Sequence, residues 1–230
     1  MATKTKTNAI HLDPFTIKVL SNFATINNGI VIKSGSEIRT MTEGKTVLAE
    51  ATVPDVFPTD FAIYDVRQLL SFMGSMFDNP TLEFFDNHLK ISSGSDVTKI
   101  FYCNSDLVAS PSKRITMPSE DITFQLSEDT LHRISKASSI LSVDDLQFSS
   151  SDSDVVNISV LDKTNSATNT WSSSTTGTFD KPFNVYLKID NLKMLEGDYQ
   201  VTISNKGITS FRNMRSDLKY FIAAEGDSKF

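Results

Sequence analysis

Apolar and polar positions alternate along most of this chain, and the alternation gives way to helical spacing at only a few places. Residues 30–32, 37–41, 47–53 and 61–64 are short runs rich in β-branched and aromatic side chains, the pattern of half-buried strands. Asn28-Gly29, Ser34-Gly35 and Glu43-Gly44 separate them as turns. Residues 82–85 and 89–92 flank Asp86-Asn87-His88 as a hairpin, and 98–102 adds a further strand. The same grammar returns at 122–125, 146–148, 155–161, 170–173, 185–189, 199–204, 208–211 and 219–223.

Four segments follow the helical period instead. Residues 15–24 place Phe15, Val19, Leu20 and Phe23 on one side, with Lys18, Ser21 and Asn22 on the other. Residues 66–77 gather Leu69, Leu70, Phe72, Met73, Met76 and Phe77 and leave Arg67, Gln68, Ser71 and Ser75 as a polar face. In 130–140, Leu131 and Ile134 oppose His132, Arg133, Lys136 and Ser139, behind an N-cap at Ser127 and acids at Glu128 and Asp129. A short fourth helix is expected at 191–195, capped by Asp190 and carrying Lys193.

The order of elements is written twice. Ala62-Ile-Tyr-Asp65 before Leu69-Leu70 matches Val185 to Asp190 before Met194-Leu195, and each is followed by a hairpin and a strand with paired aromatics, Phe101-Tyr102 and Tyr220-Phe221. Two long copies imply duplicated domains, since a solenoid would show many shorter periods. The expected organisation is a flexible tail over 1–8, a domain over 9–103, an extended connector over 104–120 and a second domain over 121–230.

Charge changes the reading of the helices. The chain holds 22 Lys+Arg against 28 Asp+Glu, a net charge of -6, yet the four helical segments carry Lys18, Arg67, Arg133, Lys136 and Lys193 and no carboxylate. An ordinary solvated face mixes both signs. Cations confined to helix faces of an acidic protein point to selective contact with a polyanion.

Other chemistry is sparse. No apolar run approaches the roughly 18 residues of a membrane span, and Met1 to Asn8 is polar and lysine-bearing, unlike a secretory signal. A single cysteine, Cys103, excludes an internal disulfide framework, fits a reducing compartment and reads as a small buried hydrophobe. His11, His88 and His132 are scattered without metal-ligand spacing, and no Gly-rich phosphate loop is present. Asp144-Asp145 and Asp152/Asp154 read as turn acids, and the sequon Asn157-Ile-Ser159 falls inside a strand pattern. A catalyst and a structural or interaction protein are the rival readings.

The segment Leu20-Ser-Asn-Phe-Ala-Thr-Ile-Asn-Asn-Gly-Ile-Val-Ile-Lys-Ser-Gly35 resembles the first helix and strand of the DNA polymerase sliding clamps of T-even bacteriophages. Ala62 to Asp65, Asn191-Leu-Lys-Met194 and the stretch Ala223 to Phe230 are similar too, in the same order. The resemblance implies an α+β fold of duplicated clamp domains, with helices lining a central pore and antiparallel sheets outside. It implies a homotrimeric ring, closed by strands pairing across subunits, that encircles duplex DNA irrespective of sequence and tethers the replicative DNA polymerase. An ATP-driven clamp loader would open the ring, and late-transcription factors would also use it. No catalysis, cofactor, metal or membrane partner is implied, and the site of action is the cytoplasm of an infected bacterium. On this resemblance Lys18, Asn22, Arg67, Arg133, Lys136 and Lys193 face DNA. Relatives carry a basic residue where Ser21 stands, and Lys18 takes its place one turn earlier. Leu107, Val108, Ile115 and Met117 in the connector either wall a partner-peptide pocket or cover the seam between the halves.

Overall fold

The computed structural model describes residues 9–150 and 154–230. The tail over 1–8 and Asp152 lie outside the described residues. Contacts divide the chain into two compact units, Met1–Ser112 and Lys113–Phe230.

Unit 1 runs β1 (Ala9–Ile10), α1 (Pro14–Ile26), β2 (Ile30–Ile32), β3 (Gly35–Met41), β4 (Val47–Phe57), β5 (Phe61–Ile63), α2 (Val66–Ser71), β6 (Thr81–Phe84), β7 (His88–Ser93) and β8 (Asp96–Phe101). Unit 2 runs β9 (Ile122–Leu126), α3 (Glu128–Leu141), β10 (Asp145–Ser149), β11 (Val155–Leu161), β12 (Trp171–Phe179), β13 (Asn184–Lys188), a 3-10 turn (Ile189–Asn191), β14 (Tyr199–Ser204), β15 (Ile208–Asn213) and β16 (Leu218–Ala223). The duplication extends to the hydrogen-bond ladders. In unit 1, β5-β2-β3-β4 and β1-β6-β7-β8 pair antiparallel. Unit 2 repeats this as β13-β10-β11-β12 and β9-β14-β15-β16, with β9 also joined to the end of β12.

The helices α1 and α3 pack their apolar stripes on these strands. In α1, Val19, Leu20 and Phe23 are buried, and the helix lies on β3, β4 and α2. Asp13 caps it by accepting from Phe15 N at 2.7 Å, and Pro14 at the first position presets the helical φ. In α3 only Ile134 and Ala137 are buried, against β11, so most of its surface is free to meet something else. Ser127 caps it as expected, accepting from Thr130 N at 3.2 Å.

Three expectations need correction. The second helix does not run unbroken to Phe77: after Ser71 the chain takes a π-helical turn, Phe72–Met76, closed by Phe77 N donating to Phe72 O at 3.0 Å. The wider turn shifts the phase, so Met73 and Phe77 are buried while Met76, assigned to the apolar cluster, is 66% exposed. The fourth helix is only the 3-10 turn, and Asp190 lies within it instead of capping it. Beyond Asn191 the backbone of Leu195 is captured by side chains: its N–H donates to Tyr220 OH at 3.1 Å and its carbonyl accepts from Tyr199 OH. Two buried phenols outcompete a helical nucleus too short to pay its own cost. Finally, α3 starts at Glu128, so Glu128 and Asp129 belong to the helix.

Two strands run four or more residues past their sequence patterns. β4 passes through Pro54 because the β3–β4 register breaks there: Thr52 faces Glu37, and the next partner, Phe57, faces Gly35. The proline sits in that irregularity, where no ladder donor is needed. β12 continues past residue 173 to Phe179, crossing from β11 to β9. Gly177 makes the crossing possible, since a Cβ there would lie 2.6 Å from Val156 Cγ2 and 2.9 Å from the Thr123 carbonyl oxygen.

Candidate nucleic-acid interface

The outward faces of the helices collect the cations. On α1, Lys18 and Ser21 are exposed and Asn22 is half-buried, opposite the stripe that meets the core. On α2, Arg67, Gln68 and Ser71 are exposed; with Asp65, Phe72, Ser75 and Met76 they line a shallow groove. Because α1 and α2 touch, Lys18 and Arg67 stand on neighbouring elements of one unit. In unit 2, His132, Arg133, Lys136 and Ser139 are exposed on α3. Lys193 is exposed too, on the irregular segment after the 3-10 turn that packs beside α3, and not on a helix.

The structure adds carboxylates that the sequence reading left out. Arg67 donates from Nε to Asp65 Oδ1 at 3.0 Å and from Nη2 to Asp65 Oδ2 at 3.1 Å. Asp65 also caps α2, accepting from Arg67 N at 3.0 Å. The arginine's side-chain hydrogen bonds hold the Asp65 carboxyl below the usual carboxylate range, and Asp65 in turn raises Arg67. Arg133 Nε lies 2.9 Å from Asp129 Oδ2, one helical turn earlier. His132 Nε2 lies 3.7 Å from Glu196 Oε1. Lys18 and Lys136 have no carboxylate within 4.0 Å among the described residues. On its helix faces each unit therefore presents one lysine with no carboxylate beside it among the described residues and one arginine already held by an aspartate.

Other singled-out residues serve the fold. Asp145 is buried and accepts from Lys188 Nζ at 2.6 Å and from Lys163 N at 3.1 Å, while Asp144 accepts from the same Lys188 at 3.2 Å. Its hydrogen bond to Asp145 is the main cause that raises Lys188. Lys163 ties Asp227 at 3.0 Å and Glu225 at 3.3 Å. His11 lies beside Thr81 and His88 stacks on Phe85, so the three histidines stay apart. Among the described residues no His, Cys, Asp and Glu side chains group as a metal site. Burial raises the half-buried Cys103 thiol, and Ser159 of the sequon is buried in β11, bonded to Ser172 at 2.9 Å.

In the connector, Leu107 is 66% exposed, whereas Val108 is buried against Gly29; Ile115 and Met117 are half-buried. A cavity of about 190 Å³ in unit 2 is lined by Asp121, Ile122, Asp180, Lys181, Phe183, Asn205 and Phe230. It is assembled from four separate segments, and no local pattern in the sequence marks it. Several strand edges are also open within the described part of each unit. Among the described residues β8 pairs only with β7 and exposes Val97 and Phe101, and the Trp171–Thr176 stretch of β12 pairs only with β11.

Comparison with known proteins identifies the family. Residues 12–109 match the family described as DNA polymerase processivity factor, and residues 123–226 match gp45 sliding clamp, C terminal. The sliding clamp of Vibrio phage KVP40 is 32% identical over 93% of this chain and 98% of its own length. That of Enterobacteria phage T4 is 29% identical over 93% of this chain and 96% of its own. Among solved structures, a Helicobacter pylori β clamp bound to a DNA ligase peptide superposes with a TM-score of 0.72 at 12% identity, covering 98% of this chain and 67% of that one. Proliferating Cellular Nuclear Antigen from Entamoeba histolytica gives 0.66 at 13%, covering 94% and 98%; at such identities the likeness speaks for the fold. With its duplicated ladders, its cationic helix faces and these relatives, the chain belongs to the sliding-clamp family of DNA polymerase processivity factors, which tether the polymerase to DNA.

Proposed function

We propose that the protein closes as a homotrimer around duplex DNA, with the outward faces of α1, α2 and α3 and the Lys193 segment turned toward the phosphates. The observation that carries this is the placement of Lys18, Arg67, Arg133, Lys136 and Lys193 on those faces in a chain of net charge -6. Their neighbours are small or polar: Ser21, Asn22, Gln68, Ser71 and Ser139. Such a surface contacts backbone phosphates and reads no base, which is what a sliding tether requires. The acidic remainder discourages DNA from binding elsewhere.

Closure uses the open edges. β8 of one protomer pairs with the Trp171–Thr176 edge of β12 in the next, each six residues long, and covers Val97 and Phe101. A head-to-tail contact of this kind closes into a ring. The tether performs no chemistry of its own. An ATP-driven loader opens it in the cytoplasm of the infected host, and the replicative polymerase and late-transcription factors dock on it. Exposed Leu107 in unit 1 and, separately, Ile115 and Met117 in unit 2 supply apolar anchors for partner peptides, and the cavity of unit 2 walled by Ile122 and Phe183 accepts an apolar side chain.

Two measurements test this reading. Light scattering should give about three times the 25.5 kDa protomer mass; a stable monomer at tens of micromolar would overturn closure. Once loaded, the protein should remain on nicked circular DNA and leave linear DNA through its ends, and equal retention on both would indicate ordinary backbone binding.

A further inference from the structure

We propose that Asp65 and Asp129 are positioning residues that weaken the protein's grip on DNA: each holds the neighbouring arginine on the DNA-facing surface, so that a phosphate must displace a carboxylate already in place. The inference rests on the reading of those helix faces as the DNA-facing surface and concerns how strongly they hold.

The same division recurs in the two units. Among the described residues Lys18 and Lys136 have no carboxylate beside them, whereas Arg67 and Arg133 are engaged. The arginines are the residues that would otherwise bind phosphate most firmly, because the guanidinium fork matches a phosphate bidentately and is preorganised to do so. In Arg67 that fork is filled: Nε and Nη2 each reach one oxygen of Asp65. Both pairs remain open to solvent, with the Arg67 and Arg133 side chains 58% and 62% exposed, so the exchange of carboxylate for phosphate is reversible and fast. Asp65 and Asp129 also cancel two of the positive charges each protomer presents, which lowers the counterion release that drives retention. A surface built this way orients DNA through mobile lysines and spares it the bidentate contacts that would arrest sliding.

The test compares the double variant Asp65→Asn with Asp129→Asn against the native protein. Asparagine keeps an oxygen to accept from Arg67 N, so the α2 cap survives, and Asp129 is 70% exposed and caps nothing. Thermal unfolding checks that both proteins fold alike. Binding of a short linear duplex, followed by fluorescence anisotropy across ~50 to 200 mM salt, should be tighter for the variant at low salt. Its salt slope should steepen by roughly 1 for each freed arginine that reaches a phosphate, equivalent to about threefold in affinity per contact over that range. Loaded on nicked circular DNA, the variant should diffuse more slowly. Lys18→Ala with Lys136→Ala is measured alongside. If the lysine variant weakens binding while the asparagine variant matches the native affinity and slope, the carboxylates serve only the helices and the proposal is wrong. If neither variant changes binding, the DNA-facing assignment has failed and the proposal falls with it.

Discussion

Replacing Tyr220 by phenylalanine probes the contact that decides the conformation of the Lys193 segment. The Tyr220 hydroxyl accepts from Leu195 N at 3.1 Å and bonds to Tyr199 OH, which donates to Leu195 O. Both rings are fully buried. The substitution removes one oxygen and keeps the ring, so the loss is hydrogen bonding without a cavity of consequence. An orphaned buried N–H costs about 1–3 kcal/mol; Leu195 is half-buried and water relieves part of this, which places Tyr220→Phe at about 1–2 kcal/mol. For a chain of this size that is a fall in Tm of about 2–8 °C. Tyr199→Phe should cost a similar amount. Because the hydroxyls form one chain, the double variant should cost less than the sum, by at least about 0.5 kcal/mol. Circular dichroism melts and urea titrations at one fixed protein concentration measure all three, since assembly would otherwise shift the midpoint. Hydrogen exchange should show faster exchange at the Leu195 amide. A Tyr220→Phe protein within about 0.3 kcal/mol of native stability, or a strictly additive double variant, would refute the reasoning.

Further expectations concern assembly, DNA and pH. Arg133→Glu with Lys136→Glu should abolish retention on circular DNA while the oligomer persists; loss of the oligomer in scattering measurements would mean these side chains serve assembly. Val97→Lys with Phe101→Glu, on the open edge of β8, should yield a folded monomer, and an unchanged mass would count against edge pairing. Gly177→Ala forces a Cβ against Val156 and the Thr123 carbonyl and should cost about 1–3 kcal/mol in denaturant titrations. Burial pushes the Tyr102 and Tyr199 phenols up to about 12 and Tyr220 higher still. The folded chain then holds these protons more tightly than the unfolded chain, so stability is intact below about pH 10 and falls as pH rises through about 12. Tyr199→Phe should make that fall shallower, and a Tm independent of pH across this window would contradict the assignment.

Most strands, the faces of α1 and α3 and the twofold order of elements were legible in the sequence, because burial on one side stamps a period of two or 3.6 on consecutive residues. The Ser127 cap was legible for the same local reason. The paired arginines were nearly so: starting α3 two residues earlier sets Asp129 one turn before Arg133, and placing Asp65 at the α2 cap brings it to the Arg67 guanidinium.

Other features depend on residues far apart in the chain. The Lys193 segment leaves the helix because phenols from β14 and β16 reach Leu195, although the sequence there matches the start of α2 in the other copy. Asn27 links Met41 and Ala109, and Gly29 leaves room for Val108, so the start of the connector is fastened by contacts no nearby pattern announces. The phase shift that exposes Met76 comes from one π-helical turn, which side-chain periodicity alone does not encode. By itself the sequence determined which residues seek the interior and which carry charge, since both are properties of single side chains and their spacing. Tertiary structure decided which charges are free, which strand edges are open and which backbone groups leave the helix, because each depends on a partner brought in by folding.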